Sequence, residues 1–147
     1  MRQRITTLTR VAEVREIEEE DKIVEVRRAR AMLEDEETAL AIIDRALESA
    51  MRRLFEMQSA RTLDVLELNM LFEYRESVDR SRDRQSAVVE AATIELDTRL
   101  DALLEAHRER KVIETYRDRL QKKFTRQQDI DEQKGMDALF ISRRALV

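Results

Sequence analysis

Apolar residues recur every seven positions through much of the first half of the chain. A second set lies three positions after the first, which is the a/d pattern of a coiled-coil seam. The first set is Val26, Leu33, Leu40, Leu47 and Leu54, and the second is Ala29, Ile43, Ala50 and Met57. Only Glu36 interrupts the pattern between Val26 and Met57. The spacing predicts one long amphipathic helix.

The same seven-residue register continues upstream but becomes polar. Ile5, Leu8 and Ala12 hold seam positions, whereas the next three seam positions are Arg15, Glu19 and Lys22. We expect looser pairing and a flexible arm in this part of the helix, since charged residues pack poorly in a seam.

The second half carries a helical stripe with imperfect spacing. Its apolar members are Val88, Val89, Ala92, Leu96, Leu100, Leu103, Ile113, Tyr116, Leu120 and Phe124. After Phe124 the only large apolar residue before Met136 is Ile130, and an apolar end of Met136, Leu139, Phe140 and Ile141 follows. These residues predict a second amphipathic helix whose end needs a cover.

Two segments are candidates for the turn between the helices. In the first, 58–62, Ser59 or Thr62 could cap a new helix, while the second, 79–86, is wholly polar. A turn near residue 60 would set the acidic run 34–37 against Arg80, Arg82 and Arg84, and charge matching of this kind selects register. We therefore prefer 58–62.

The predicted fold is all-α: two long helices form an antiparallel coiled-coil hairpin within a single domain, 1–147. Helix 1 covers about 5–57, the turn about 58–62, and helix 2 about 63–144. Helix 2 is the longer and overhangs at its C-terminus from about Tyr116. We expect the overhang to fray until it is bound, because most helix stability comes from packing an apolar face.

Composition narrows the function. Charged residues make up 41% and hydrophobic residues 42% of the chain, with one Gly, no Pro and no Cys. Such a chain lacks the turn residues of a compact enzyme fold and the glycines of a phosphate loop. No stretch has the apolar character of a signal peptide or a membrane span. We expect a cytoplasmic protein, peripheral to a membrane at most, that is not an enzyme.

Candidate chemistry is sparse. His107, the lone histidine, lies two residues from both Glu105 and Glu109, and residues at that spacing do not share a helix face. We therefore expect no catalytic residues, no metal site and no cofactor. The net charge of -4 argues against nucleic-acid binding and favours protein partners.

One charged segment suggests docking. Residues 108–126 contain only three acids, Glu109, Glu114 and Asp118, and carry a net charge of +5. The basic residues are Arg108, Arg110, Lys111, Arg117, Arg119, Lys122, Lys123 and Arg126, and the aromatics Tyr116 and Phe124 lie among them. The segment is either an ordinary charged helix surface or a site that steers an acidic partner protein.

Several blocks of the sequence follow the pattern of a known family. The C-terminal blocks are Glu105-Ala-His-Arg-Glu-Arg-Lys111, Tyr116-Arg-Asp-Arg-Leu120 and Glu132-Gln-Lys-Gly-Met-Asp137, with Arg143-Arg144 after them. The N-terminal block is the opening Leu8-Thr-Arg-Val-Ala-Glu-Val-Arg-Glu16. Together these blocks resemble the FliJ family of flagellar type III export proteins. The chain departs from the family pattern at Ala138, where the family has an acid, and at Gly135.

The resemblance implies a coiled-coil stalk for a hexameric export ATPase. Its expected partners are that ATPase and its regulator, the cytoplasmic domain of the export gate, and export chaperones. The expected location is the cytoplasmic face of the inner-membrane export apparatus. Partner contacts are expected from the basic segment, from the C-terminal residues Gln133, Lys134, Met136, Asp137, Leu139 and Phe140, and from Phe72 and Tyr74, which substitute for aromatics that the family carries near the hairpin.

Two alternative functions remain open from the sequence. An injectisome stalk would have a similar fold and role. A self-associating structural scaffold would pair through the apolar residues of 63–72 and 139–141.

Overall fold

In the computed structural model, two helices account for nearly all of the residues that are described, 1–60 and 64–146. Helix α1 spans Arg2–Gln58 and helix α2 spans Val65–Ala145, with no strand in the described residues. The helices pack against each other, so the all-α hairpin prediction is confirmed. The alternative turn at 79–86 lies inside α2.

The start of α2 is capped by Asp64. Its Oδ1 accepts hydrogen bonds from the backbone N–H groups of Leu66 at 3.1 Å and Glu67 at 3.3 Å, which satisfies two of the unpaired donors at a helix start. Ser59, one expected cap, lies directly after the end of α1 and instead donates its hydroxyl to the Phe55 carbonyl in the last turn of that helix. The other expected cap, Thr62, and the expected first residue of helix 2, Leu63, lie outside the described residues.

The chain divides into two compact units, which we describe separately. The terminal unit combines Met1–Lys22 with Leu103–Val147, and the turn unit is Ile23–Ala102. The expectation of a single domain over 1–147 stays a prediction.

The turn unit is held together by an apolar seam. Among the described residues of this unit, the buried ones all come from α1: Val26, Ala29, Ala50, Leu54 and Met57. The facing residues of α2 are only half-buried, among them Leu71, Val78, Val89, Ala92 and Leu96. Because two helices leave each seam residue open at its sides, small side chains such as Ala50 are covered most completely.

Polar pairs within and beside the apolar seam show an antiparallel register. Near the turn, Arg53 lies 3.1 Å from Glu67, and further along Arg99 lies 3.2 Å from Glu25. Between these pairs, Arg82 contacts Asp44, and Gln85 donates to the Glu36 backbone carbonyl at 3.0 Å and also contacts its carboxylate. Along the seam, residue numbers therefore fall on α1 as they rise on α2.

The expected match between the acidic run 34–37 and three arginines is wrong in its details. Glu36 alone of the run lies in the seam, where it meets Gln85, while Glu34, Asp35 and Glu37 are exposed. Arg82 pairs with Asp44, and Arg84 donates to Ser81 on its own helix. Only one residue in three or four of a helix faces its partner, so a run of four acids cannot pair as a block.

The terminal unit is more sparsely packed. Ala12 is its only buried apolar residue among those described, and Ile5 and Leu8 are half-buried. From α2, Leu120 and Phe124 are also half-buried, so the overhang does not begin at Tyr116 as expected. Helix α1 starts at Arg2, nearly a full turn before the predicted start. The added turn of α1 lengthens the helix against which Leu120 and Phe124 can pack. We define the overhang as residues 125–145, all of which are exposed.

Substitution of Leu54 tests the seam of the turn unit. Leu54 is 4% exposed, so Leu54→Ala removes buried methyl groups and should lower the free energy of unfolding by about 2–3 kcal/mol. The matched control Leu66→Ala, at 71% exposure, should change it by less than about 0.5 kcal/mol. Urea unfolding followed by far-UV circular dichroism measures both. Equal effects would contradict a seam built on Leu54.

Candidate partner-docking surface

The seven-residue register of α2 decides which side chains in the terminal unit can meet a partner. Half-buried residues follow one another at steps of three or four and mark the side that faces α1: Leu103, Ala106, Arg110, Ile113, Arg117, Leu120 and Phe124. Three predicted docking residues, Arg110, Arg117 and Phe124, belong to this inward set. The remaining basic residues of 108–126 point elsewhere.

Arg110 is engaged within the molecule. Its guanidinium is 20% exposed, contacts the Glu19 carboxylate through Nε, and donates through Nη1 to Glu114 at 2.8 Å. Glu19 and Glu114 together raise the pKa of Arg110. This arginine therefore stabilises the helix pair and offers little to an external partner.

Glu19 is the centre of a polar cluster in the seam. Its side chain is 13% exposed and receives hydrogen bonds from His107 Nδ1 at 2.9 Å and from Arg110. The hydrogen bond from His107, with that from Arg110, lowers the pKa of Glu19 despite the opposing effect of burial. The cluster gives His107 a structural role that the sequence analysis did not assign.

Arg15 also reaches across the seam. Its Nη1 lies 2.9 Å from Glu109 on α2 and 3.0 Å from Glu18 on its own helix. The heptad pattern marks Arg15 and Glu19 as polar seam positions with looser pairing but does not identify their partners on α2. The signal was present, because Glu109 and Arg110 carry the opposite charges at the matching level of an antiparallel pair.

Five basic side chains form a stripe along the outward side of α2. We call them the basic stripe: Arg108, Lys111, Arg119, Lys122 and Arg126. These residues, together with Thr115 between Lys111 and Arg119, follow one another at steps of three or four and so share one face of the helix. All are exposed, and no carboxylate in the described chain lies within ion-pair distance of them. Lys123 is exposed beside the stripe, whereas Arg117 is half-buried and bonds to Asp118.

An aromatic side chain borders the stripe. Tyr116 is half exposed and lines a shallow cleft of about 440 Å³ with Gln3, Arg4, Thr7 and Leu8 of α1. Phe124, the second aromatic of the segment, is half-buried. Tyr116 is therefore the aromatic that a partner can contact most freely.

The overhang presents a separate apolar surface. Met136, Leu139, Phe140 and Arg143 line an open cleft of about 450 Å³. The Arg144 guanidinium lies 5.9 Å from the centre of the Phe140 ring, within range of a cation–π contact. The other predicted docking residues here, Gln133, Lys134 and Asp137, are exposed.

The two aromatics predicted for a second contact lie in the turn unit. Phe72 and Tyr74 are both exposed but are two residues apart, so they do not share a face of α2. Val65 does share the face of Phe72, seven residues away, and is also exposed. Phe72 and Tyr74 therefore offer two separate contacts.

Comparison with known families supports one assignment. Residues 3–145 match the sequence profile of the family described as Flagellar FliJ protein. The chain belongs to the FliJ family. The match covers nearly the whole chain and makes it a flagellar export-related protein. No curated protein and no solved structure gives a significant match.

Two other kinds of feature, metal-ligand groups and membrane spans, are absent from the described part of this FliJ-family chain. Residues 1–60 and 64–146 contain no group of three or more His, Cys, Asp or Glu side chains that could hold a metal ion. Neither helix, over those residues, is long and apolar enough to cross a membrane. The basic stripe, the overhang and the apolar faces of the turn unit remain as candidate contacts.

The Glu19 cluster makes stability depend on pH. Since the pKa of Glu19 is lowered in the folded chain, its contribution is present above the ordinary carboxyl value of 4.5 and is lost as pH falls through the folded value. Glu19→Gln should lower the free energy of unfolding by about 1 kcal/mol at neutral pH, and the loss should vanish in acid. Unfolding curves across the acid range measure this difference.

The neighbouring residue supplies the control. Glu20 is exposed and has no ion-pair partner within the described chain, so Glu20→Gln should have little effect at any pH. A Glu19→Gln loss that persists unchanged in acid would contradict a role for the carboxylate charge.

Proposed function

We propose that this FliJ-family chain is a stalk protein of flagellar type III export. It binds and regulates the hexameric export ATPase and links that ATPase, with its regulator, to the cytoplasmic domain of the export gate and to export chaperones. It is not itself an enzyme. It works in the cytoplasm, at the cytoplasmic face of the inner-membrane export apparatus.

The basic stripe is the observation that carries this proposal. A helix surface usually intersperses both charge signs, and a solvated stripe would gain from neighbouring carboxylates. The stripe instead keeps five cations clear of intramolecular ion pairs. Such a surface attracts an acidic partner and speeds encounter through long-range steering.

The narrowness of a helix pair supports the same role. Each helix is about 10 Å wide with its side chains, so two helices side by side suit the central opening of a ring. The stripe and the overhang both belong to the terminal unit, and we place this unit in the ATPase. The FliJ-family match favours the flagellar system over an injectisome.

Contact with the export gate is the second part of the proposal. Val65 and Phe72 leave an exposed apolar face on α2 in the turn unit, whereas the basic stripe belongs to the terminal unit. Exposed aromatic side chains contribute strongly to protein interfaces. We assign this face to the gate, which leaves the terminal unit for the ATPase.

The first experiment compares the ATPase rate and oligomeric state of the cognate export ATPase with and without this protein. Stimulation and hexamer formation at about one copy per ring would support the stalk role. An unchanged rate without binding would overturn it.

Charge reversal in the stripe locates the contact. Arg119→Glu with Lys122→Glu should weaken binding to the ATPase about tenfold or more, because two attractive contacts become repulsive. The control Arg27→Glu with Arg30→Glu makes the same charge change at the same spacing on exposed residues of the turn unit. Titration of ATPase stimulation measures both variants. Equal weakening would indicate a nonspecific charge effect and contradict the assignment.

A single aromatic substitution tests the gate contact. Phe72→Ser should weaken binding to the cytoplasmic domain of the gate about tenfold. Tyr116→Ser also removes an exposed aromatic, but from the terminal unit, and should leave gate binding unchanged. Calorimetry with the purified gate domain measures the affinities, and circular dichroism checks that each variant stays helical. Gate binding that depends on Tyr116 rather than Phe72 would reverse the assignment.

A further inference from the structure

The overhang has charges and apolar residues arranged symmetrically about a point between Asp137 and Ala138. Met136 and Leu139 lie at the centre. Glu132 lies four residues before Met136, and Arg143 lies four residues after Leu139. In a second copy that runs antiparallel, Leu139 therefore lies at the level of Met136, and Arg143 lies at the level of Glu132.

These four residues share one face of α2. Their steps of four, three and four residues follow the helix repeat and place all of them within a narrow arc. Met136 and Leu139 are each 71% exposed, and both line the open cleft with Arg143. Glu132 and Arg143 are exposed and have no ion pair in the described chain. No part of α1 covers this face.

We propose that the overhang is a self-association surface that takes a second copy of this chain in antiparallel, two-fold-symmetric contact. Met136 of each copy packs against Leu139 of the other. Glu132 of each copy pairs with Arg143 of the other, so the charge contact and the apolar contact each occur twice. Asp129 and Arg144 add a second complementary charge pair along one edge of the face.

Charge complementarity selects a second copy over other occupants. A wholly acidic partner would satisfy Arg143 but would repel Glu132, and an anionic lipid surface would do the same. A two-fold axis satisfies both residues with one sequence, as an isologous interface requires. Phe140 enlarges the apolar contact, with Arg144 stacked beside its ring.

The association is weak and reversible because the interface is small. Four side chains on one short helical face bury much less than the roughly 1,200 Å² of a stable interface. A dissociation constant of about 100 μM is the expected scale. The protein is then monomeric when dilute and pairs when concentrated. The proposal concerns the protein alone and does not depend on ATPase docking.

Charge exchange in the full-length chain tests the proposal. Sedimentation equilibrium at low ionic strength, from about 10 μM to about 1 mM, should show a monomer–dimer equilibrium. Glu132→Arg or Arg143→Glu alone should raise the dissociation constant about tenfold, since each change creates two like-charge contacts. The double variant, which exchanges the charges, should restore the original affinity.

Lys134→Glu is the matched control for Arg143→Glu, because Lys134 lies on the opposite side of the helix. It should leave the affinity unchanged. A monomer at every concentration would overturn the proposal. So would a dimer that ignores both single variants, or one that the double variant fails to rescue.

Cysteine pairing tests the antiparallel register independently. The chain has no native Cys, so introduced thiols report only on their own positions. An oxidised mixture of Met136→Cys and Leu139→Cys chains should form the mixed disulfide faster than either chain cross-links to itself. Faster self-cross-linking of either variant would indicate another register and overturn the proposed pairing.

Discussion

Two helices can shield only one narrow strip of each other from water, and this limit controls the rest of the molecule. In the turn unit the strip is mainly apolar, with Ala50 and Leu54 nearly closed off. In the terminal unit it is increasingly polar, and the Glu19–Arg110 contact takes a place that an apolar pair would otherwise fill. An apolar strip alone permits sliding by one heptad, whereas a charge placed wrongly in a seam loses its partner. The polar pairs therefore specify the register of the two helices, whereas the apolar residues supply the stability.

The same limit separates structural charges from those available to partners. Arg110 and Arg108 are two residues apart, but only Arg110 falls in the seam, where Glu19 and Glu114 engage it. Arg108 faces outward without a carboxylate partner in the described chain. A basic segment in a sequence thus mixes two kinds of residue, and the helical repeat distinguishes them. In this FliJ-family chain the outward set forms a continuous stripe, which gives the docking proposal a defined surface.

The sequence predicted α1 well because its seam residues are mostly apolar from Val26 to Met57. It described α2 less accurately because the apolar residues were counted alone. Leu100 and Tyr116 were predicted to belong to the apolar face of helix 2 but are exposed. Arg99 and Arg110 instead occupy half-buried positions of a regular seven-residue repeat. Polar seam residues are recognisable only when their partners on the other helix are known. The predicted start of the overhang was wrong because it depends on where α1 begins. Helix ends are set by a few local bonds, which the periodicity of a sequence does not report.

The overhang has the opposite problem from the seam, because it has an apolar face and no second helix. Most helix stability in proteins comes from packing an apolar face, so the exposed Met136 and Leu139 contribute little stability until a partner covers them. Burial of that face against any partner therefore favours the helical form as well as the complex. A weak dimer covers the face in concentrated protein without competing strongly with a tighter site, since an interface with a dissociation constant near about 100 μM is readily displaced. The proposed self-pairing is thus compatible with the proposed docking of the terminal unit into the ATPase ring, with a single copy making one of these contacts at a time.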